Sequence, residues 1–475
     1  MAQAIGKEIN KIGDLNEIVL IGVGAIALFS ALFFSAQAGI FVLFAAWTAI
    51  LSWQYPKQAF WILLFFAPLL PILKITQTLS AVTPLKDFVI GALFIKVVLY
   101  PIYLKKDSYR RNAVLLPILF LCGYAVLGTL HADSLMLGIL RLRDILLYLP
   151  LLWIGRALVS SRRDFYDFLK VLFSSLFLVL VLVVVQYGFF PDGMVLRFDP
   201  SNSTWIGRVS STLAHPNILG SYLLCLLPLV ISFGWRKIKV NWKYRAIFLM
   251  GLTGLIAAYA TYSRGVWIAF FGAGLAAGTV LVYQKKQLFY KIILPLILVC
   301  LVAIIAAPRT RNLLRTAFDP TYASNQDRLG IMTSLVSEMS DVDAIFGRGL
   351  GDVFQSTNRN IDISLADIAA NNVQNVQVAK AQTFVDNAVL KTWVETGLAG
   401  LLIVGWLVWQ ILHTTWRAAT TGVTNDEKSL GLALFATTVG LLVLSFFLDI
   451  PETFPVALYW WMFVGVGQAV PYLKD

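Results

Sequence analysis

The residues best suited to chemistry in this sequence are arginines standing where an apolar chain has little reason to place them. Arg264 lies in Ser263-Arg264-Gly265, a junction with almost no connecting loop between two apolar stretches. An arginine is a poor choice for such a turn unless its charge is used or its head reaches the lipid headgroups. Arg208 closes a polar segment and is followed by Val209-Ser210-Ser211-Thr212-Leu213-Ala214-His215-Pro216-Asn217. Pro216 suits the first turn of a helix, with His215 or Thr212 near its cap. A helix N-terminus adds positive potential where an anion would sit. Arg208, Arg264 and that helix end therefore form a candidate anion clamp, and the planar guanidinium fork fits phosphate better than an ammonium does. Arg141 and Arg143 are second-rank candidates for the same task, since a local ion pair with Asp144 is the simpler account of their charge.

The elements that must position these residues follow from composition. The chain has 475 residues, of which 58% are hydrophobic and only 13% charged, with a mean hydropathy of +0.76. A soluble domain would carry about 25% charged residues. That deficit, together with repeated apolar runs near membrane-spanning length, indicates a polytopic membrane protein. The runs lie roughly at 18–34, 39–53, 57–74, 87–104, 113–130, 139–155, 168–190, 217–234, 246–263, 265–283, 291–307, 387–412, 430–448 and 456–473. The first reads as a retained span rather than a cleaved signal. The second is short and the third is broken by Pro68 and Pro71. The expected fold is an all-α polytopic membrane protein of about 12–14 transmembrane helices, with one long extracytoplasmic loop bearing short helices. Four regions are expected: N-terminal spans over 1–190, core spans with the arginine motifs over 191–308, the loop over 309–386, and C-terminal spans over 387–475. Inside the loop, 327–346 reads as an amphipathic helix at the membrane interface, with Leu329, Met332, Leu335, Val336 and Met339 on its apolar face. A second helix is expected over 361–381. Gly347-Arg348-Gly349-Leu350-Gly351 reads as a turn.

The net charge of +12 is placed by topology rather than by nucleic acid, for which no partner role is expected. With the N-terminus inside, the basic connections at 104–112, 156–167, 235–245 and 284–291 all face the cytoplasm, where they meet anionic lipid. Both termini then lie in the cytoplasm and the polar loop lies outside. Cys122, Cys225 and Cys300 sit in apolar runs and read as packing residues. His131 and His413 read as structural, and Lys96 receives no role. No His, Cys or carboxylate cluster has metal-ligand spacing and no phosphate-cradling glycine loop occurs, so no metal and no cofactor are expected.

Segments 208–220, 262–265, Asn325-Gln326-Asp327-Arg328-Leu329, 347–354 and 386–400 occur in an order that resembles the O-antigen ligase superfamily. That superfamily also holds O-antigen polymerases, some protein O-oligosaccharyltransferases and proteins described as bicarbonate transporters. The first 190 residues match it only as generic spans. The resemblance implies a metal-independent, integral-membrane glycosyltransferase of GT-C-like architecture in the bacterial inner membrane. It would take a glycan from a polyprenyl (undecaprenyl) diphosphate donor at the outer face and pass it to a lipid A-core, glycan or protein acceptor. It implies donor-diphosphate binding by Arg208 and Arg264. In the superfamily a His, followed by Asn or Ser, nine residues and Gly-x-x-Gly, activates the acceptor hydroxyl. Here Asn387, the stretch 388–396, Gly397 and Gly400 keep that spacing, and Asp386 stands at the His position. Asp386 is then the candidate base, with a second reading as N-cap of the helix that follows. His215 is an alternative base, and Arg328, Arg141 and Asn387 are possible additions to the site. Rival readings are a polymerase, a protein O-oligosaccharyltransferase, a binder of lipid-linked glycan without transfer and, from another class, a bicarbonate or other solute transporter. Transporters commonly carry repeats with polar sites at the midplane, and neither feature is seen here.

Overall fold

A computed structural model describes residues 36–75, 84–103, 113–190, 194–199, 204–213, 215–236, 241–284, 323–353, 387–449 and 453–473. The expected features at 18–34, 291–307 and 361–381, and Cys300, lie outside these residues. The chain divides into two compact units, Met1–Asp107 with Thr212–Ala214, and Ser108–Ser211 with His215–Asp475.

In the first unit, α1 (Ala36–Gln54) is followed by α2 (Pro56–Phe66), whose first residue is a proline with no N–H to lose. A 3-10 turn over Ala67–Leu69 leads into α3 (Leu70–Ile75), so Pro68 and Pro71 modulate the third expected span without ending it. The fourth span is α4 (Leu85–Phe94), a π-helical stretch Ile95–Leu99 and α5 (Tyr100–Tyr103). Lys96 lies in the π stretch with its ammonium 4.4 Å from the Trp53 ring and 5.1 Å from the Tyr100 ring, a cation–π site.

The second unit begins with α6 (Leu115–Leu130), α7 (Leu135–Leu146), α8 (Pro150–Leu158) and α9 (Arg162–Phe189). The single span expected at 139–155 is therefore two helices. Pro150 opens the second: it has no N–H to continue the helical ladder, although Leu149 before it keeps helical angles (φ −55°, ψ −40°). α9 starts on a capping box in which Ser161 and Asp164 satisfy each other's backbone N–H groups. The polar segment that Arg208 closes forms an antiparallel hairpin of β1 (Val195–Asp199) and β2 (Thr204–Arg208), in register from Val195↔Arg208 to Asp199↔Thr204. Its Val, Leu, Phe, Thr, Trp and Ile content favours strands. Among the described residues, the all-α architecture thus carries one small β addition.

Next come α10 (Pro216–Arg236), α11 (Trp242–Ala260), α12 (Arg264–Gln284), α13 (Ala323–Ser337) and α14 (Asp341–Phe346). The unit ends with α15 (Ala388–Thr421), α16 (Asn425–Ser445) and α17 (Val456–Ala469). Among the described residues, Arg162–Phe189, Pro216–Trp235, Arg264–Gln284, Ala388–Thr421 and Asn425–Ser445 are long and apolar enough to cross a membrane. This is a helical polytopic membrane protein. The helix expected over 327–346 is divided because Ser340 caps α14 in a box with Asp343. Its apolar face also differs from expectation. Leu335, Ile331 and Met339 pack with Val353, Leu390 and Val394, whereas Leu329 and Val336 are 50% and 41% exposed. The buried stripe at i, i+4 and i+8 seats α13 on the start of α15.

Lipid tails give helices no hydrophobic reason to associate, so close approach at small residues supplies the packing. A Cβ added at Gly220 would meet Val266, one at Gly254 would meet Leu227, and one at Gly431 would overlap the Ala418–Ala419 backbone. The helix ends segregate. At one end Lys391 of α15 pairs with Asp449 beyond α16. At the other, Tyr166 of α9 donates to Asp426, and Gln284 of α12 to the Ala419 carbonyl. The second end carries Arg156, Arg162, Arg163, Lys243, Arg245, Arg417 and Lys428. Replacing Gly431 with leucine is expected to cost about 1–3 kcal/mol by overpacking, read as a lower unfolding temperature of the detergent-solubilised protein. An unchanged temperature would contradict the close α15–α16 approach.

Candidate functional site

Only three residues separate the end of α11 from the start of α12, and the chain reverses there at a strained position. Tyr262 has φ 47°, a left-handed conformation unusual for a bulky side chain. The last carbonyls of a helix have no intrahelical partner, and here Arg208 supplies one. Its Nε donates to the Thr261 carbonyl at 2.8 Å and its Nη2 to Asn217 Oδ1 at 2.9 Å. Val209 N–H donates to the Ala260 carbonyl at 3.4 Å. Arg208 therefore ties the end of α11 to the first turn of α10, and Arg264 opens α12 three residues after Thr261. The segment behind Arg208 is held by Gln186 Oε1, which accepts from Ser210 and Ser211 N–H at 3.0 and 2.8 Å.

His215 sits just before α10, and its Nδ1 accepts from Asn217 N–H at 3.1 Å. Burial, and then the Arg208 charge, push its pKa down to about 4. Beside Arg264, Tyr259 and Trp267 stack with ring centroids 5.3 Å apart, and the Trp267 indole donates to the Ala258 carbonyl. Three residues singled out from the sequence, Arg208, His215 and Arg264, thus gather around one turn.

The second group of candidates lies at the start of α15. Asn387 is the N-cap, accepting from Leu390 N–H at 2.9 Å, so the capping role considered for Asp386 falls to its neighbour. Asp386 itself lies outside the described residues. Ten residues on, α15 is broken at Gly397, whose φ of 64° and ψ of −171° are not helical. The reason stands opposite. Arg348 N–H donates to the Val394 carbonyl at 2.9 Å and Gly349 N–H to the Glu395 carbonyl at 3.2 Å. A Cβ at Gly397 would overlap the Ile345 carbonyl and the Gly347 nitrogen, and Gly347 itself has φ 84°. The glycine turn at 347–351 is therefore a joint between backbones as well as a turn.

Arg141 takes a different place from the one its sequence neighbours suggest. Its Nε lies 2.8 Å from Glu395 Oε2 and 3.1 Å from Oε1, with the two side chains 4% and 1% exposed. Glu395 Oε1 also accepts Gly351 N–H at 3.2 Å. Asp144 is paired instead with Arg143, at 3.7 Å and half exposed. Residues two apart on a helix face different sides, so Arg141 turns to the interior while Arg143 and Asp144 stay at the surface. The Arg141–Glu395 pair forms part of the wall of a cavity of about 190 Å³ that is otherwise mostly aliphatic and aromatic.

Lys391, on the first turn of α15, reaches Asp449 Oδ2 at 2.6 Å. Gly265 packs so tightly on Phe447 that a Cβ there would come within 2.9 Å of the Phe447 Cβ. Gly265, the residue after Arg264, thus packs on Phe447, two residues before Asp449, the partner of Lys391. Arg348 pairs with Asp352 at 3.2 Å and Glu338 at 3.5 Å. Arg328 belongs to α13, and its side chain is outside the described residues. The sequence reading passed over Lys391, Glu395, Asp449 and Asn217. A signal for the first two was present, since two charges four residues apart inside an apolar span are expensive unless paired.

Helix topology and polar cluster together define a membrane protein that collects arginines, an amide and a helix cap around one end of its bundle. Residues 247–405, about a third of the chain, match the family model described as O-antigen ligase, and this match supports the O-antigen ligase superfamily. The segment contains Arg264, the glycine joint and the Asn387-to-Gly400 stretch, whereas Arg141, Arg208 and His215 lie before it. The family speaks for glycan transfer of the O-antigen ligase or polymerase type and lends nothing to the transporter reading. No curated protein matches the chain.

Glu395→Ala is expected to strand the buried Arg141 charge and cost about 3–5 kcal/mol. The double variant Arg141→Met, Glu395→Met should recover much of that in thermal unfolding. Equal destabilisation of single and double variants would show that the pair is not coupled. His215 has an ordinary value of 6.5 that folding lowers to about 4. The stability gained by keeping it neutral is present above pH 6.5 and is lost as the pH falls through that window towards 4. His215→Gln should flatten the dependence of unfolding temperature on pH across this window, and an unaltered slope would refute the assignment.

Proposed function

We propose that this protein transfers a glycan from a polyprenyl (undecaprenyl) diphosphate donor to an acceptor hydroxyl, in the manner of an O-antigen ligase, at the outer face of the bacterial inner membrane. One observation carries the reading. The Arg208 guanidinium is hydrogen-bonded to the turn that opens α12 with Arg264, and that turn lies in the segment matching the O-antigen ligase family. Concentration of basic residues at the opposite end of the bundle supports an orientation with that end, and both chain termini, in the cytoplasm.

In this reading Arg208 and Arg264 bind the donor diphosphate and stabilise the negative charge it develops on leaving. Guanidinium donors already oriented by protein acceptors need little reorganisation as the bond breaks. The acceptor oxygen attacks the anomeric carbon, the bond from that carbon to the diphosphate oxygen breaks, and polyprenyl diphosphate departs with the electron pair. The acceptor proton passes to the Asp386 carboxylate, and a single displacement inverts the anomeric configuration. His215 is the alternative base: its Nδ1 accepts from Asn217 N–H, Nε2 is the nitrogen left for the acceptor proton, and burial lowers its pKa to about 4, no more basic than an ordinary carboxylate. Asn387, as cap of α15, fixes the start of the helix next to Asp386. The reaction so written runs without a metal, as the resemblance implies. A lipid A-core acceptor defines a ligase, a second lipid-linked glycan a polymerase, and a protein an O-oligosaccharyltransferase.

The test is transfer by the purified protein from a polyprenyl-diphosphate glycan, with each acceptor class offered in turn. Arg208→Ala and Arg264→Ala are expected to lower turnover by roughly 10²-fold or more, and Asp386→Ala by roughly 10²–10⁴-fold. His215→Ala should retain most activity. Full turnover by Arg264→Ala would sink the diphosphate clamp, and an active Asp386→Ala beside a dead His215→Ala would move the base to the histidine.

A further inference from the structure

The end of the bundle away from the Arg208 turn holds a second cavity, of about 400 Å³, whose walls are about as polar as they are apolar. Arg156 from the last turn of α8 and Arg417 from near the end of α15 both line it. Thr414, Thr421, Glu427 and Gln468 supply other polar surface. The described carboxylates of this region are already engaged. Asp164 closes the Ser161 capping box, Asp167 pairs with Lys170 at 2.7 Å, and Asp426 accepts from Tyr166. Glu427 accepts Val423 N–H at 2.8 Å, and its own N–H bonds Thr424. Among the described residues, neither the Arg156 nor the Arg417 guanidinium has a carboxylate within ion-pair distance or any other hydrogen-bond partner.

Attraction to the helix dipole accounts for a basic residue near each helix C-terminus. It does not account for two arginines, from two separate helices, that line one polar cavity. Two guanidinium forks with no anionic partner among the described residues are matched by a group with several oxygens and negative charge, which is the chemistry of phosphate. Basic pockets between membrane helices hold anionic headgroups by this means. Leu434 and Val464 continue the wall as apolar surface, which suits the glycerol and first methylenes of a lipid.

We propose that this cavity is a phosphate-binding site, occupied by the headgroup phosphate of an anionic lipid or by inorganic phosphate, with Arg156 and Arg417 as its ligands. It is separate from the proposed transfer site and does not depend on that reading.

The experiment uses the purified full-length protein. Native mass spectrometry reads which lipid is retained from an equimolar mixture of phosphatidylglycerol and phosphatidylcholine, and a thermal-shift titration in neutral detergent reads the response to inorganic phosphate. Wild type is expected to retain phosphatidylglycerol in preference. The double variant Arg156→Gln, Arg417→Gln should lose that preference by about tenfold, equivalent to ~1.4 kcal/mol. Arg→Lys at both positions should keep part of it. A shift with inorganic phosphate in wild type but not in the double variant, with no lipid preference, would identify free phosphate as the occupant. If the double variant does not fold, judged by its unfolding temperature without ligand, Arg417→Gln alone serves, since Arg417 is exposed. Responses to both probes that are absent, or unchanged by the arginine substitutions, overturn the proposal.

Discussion

A carboxylate buried among apolar helices has to be matched in charge and in hydrogen bonds, and Glu395 is matched on both counts. It is 1% exposed, it takes both carboxylate oxygens to Arg141, and one of them also accepts Gly351 N–H. Breaking either half of such a pair leaves an uncompensated charge, which is far more destabilising than the pair is stabilising. Glu395 therefore specifies a single arrangement of α7, the glycine turn and α15. The backbone break at Gly397 follows from it. With Glu395 held on one side and the Gly347 turn pressed against the other, only a residue without a Cβ, at positive φ, fits the gap. The Gly-x-x-Gly at the end of the superfamily stretch thus has a mechanical reason.

The arginines of this chain sort by what holds them. Arg141 is bound to a buried carboxylate, and Arg348 to Asp352 and Glu338. Arg208 is oriented by a helix-end carbonyl and an amide. The first two hold the architecture together. The third is placed by backbone geometry at the turn that carries Arg264, which is the position the proposed transfer chemistry requires. At the opposite end of the bundle, Arg156 and Arg417 line a cavity whose nearby carboxylates are engaged elsewhere. The two ends are accordingly different in kind: one is organised around helix termini and ion pairs, the other around an excess of positive charge.

Much of the architecture could be read along the chain. Apolar runs located most of the described helices to within a few residues, because burial in lipid demands a continuous apolar stretch. Proline marked the start of α2 and of α10 for a local reason, its missing N–H. The order of loose motifs was enough to indicate the O-antigen ligase superfamily, which the match over 247–405 supports. Local rules failed where two local signals competed. Asp386 and Asn387 are both good caps, and the structure uses Asn387. Arg141 and Arg143 both flank Asp144 within reach, and Arg143 takes it. The apolar residues between 327 and 346 suggest one helix, and Ser340 divides it.

By itself, then, the sequence determined that this is a helical membrane protein with a basic end, and which arginines are out of place in it. Composition and periodicity act over a few neighbouring residues, and lipid imposes them strictly. Tertiary structure alone decided the partners. Arg141 and Glu395 are 254 residues apart in the chain, and Lys391 and Asp449 are 58 apart. Whether such charges meet depends on which helix faces are turned together, and that is set by packing across the bundle. For the same reason only the folded chain shows that Arg208 closes the turn before Arg264, and that the glycine turn at 347–351 is the counterpart of the kink at Gly397.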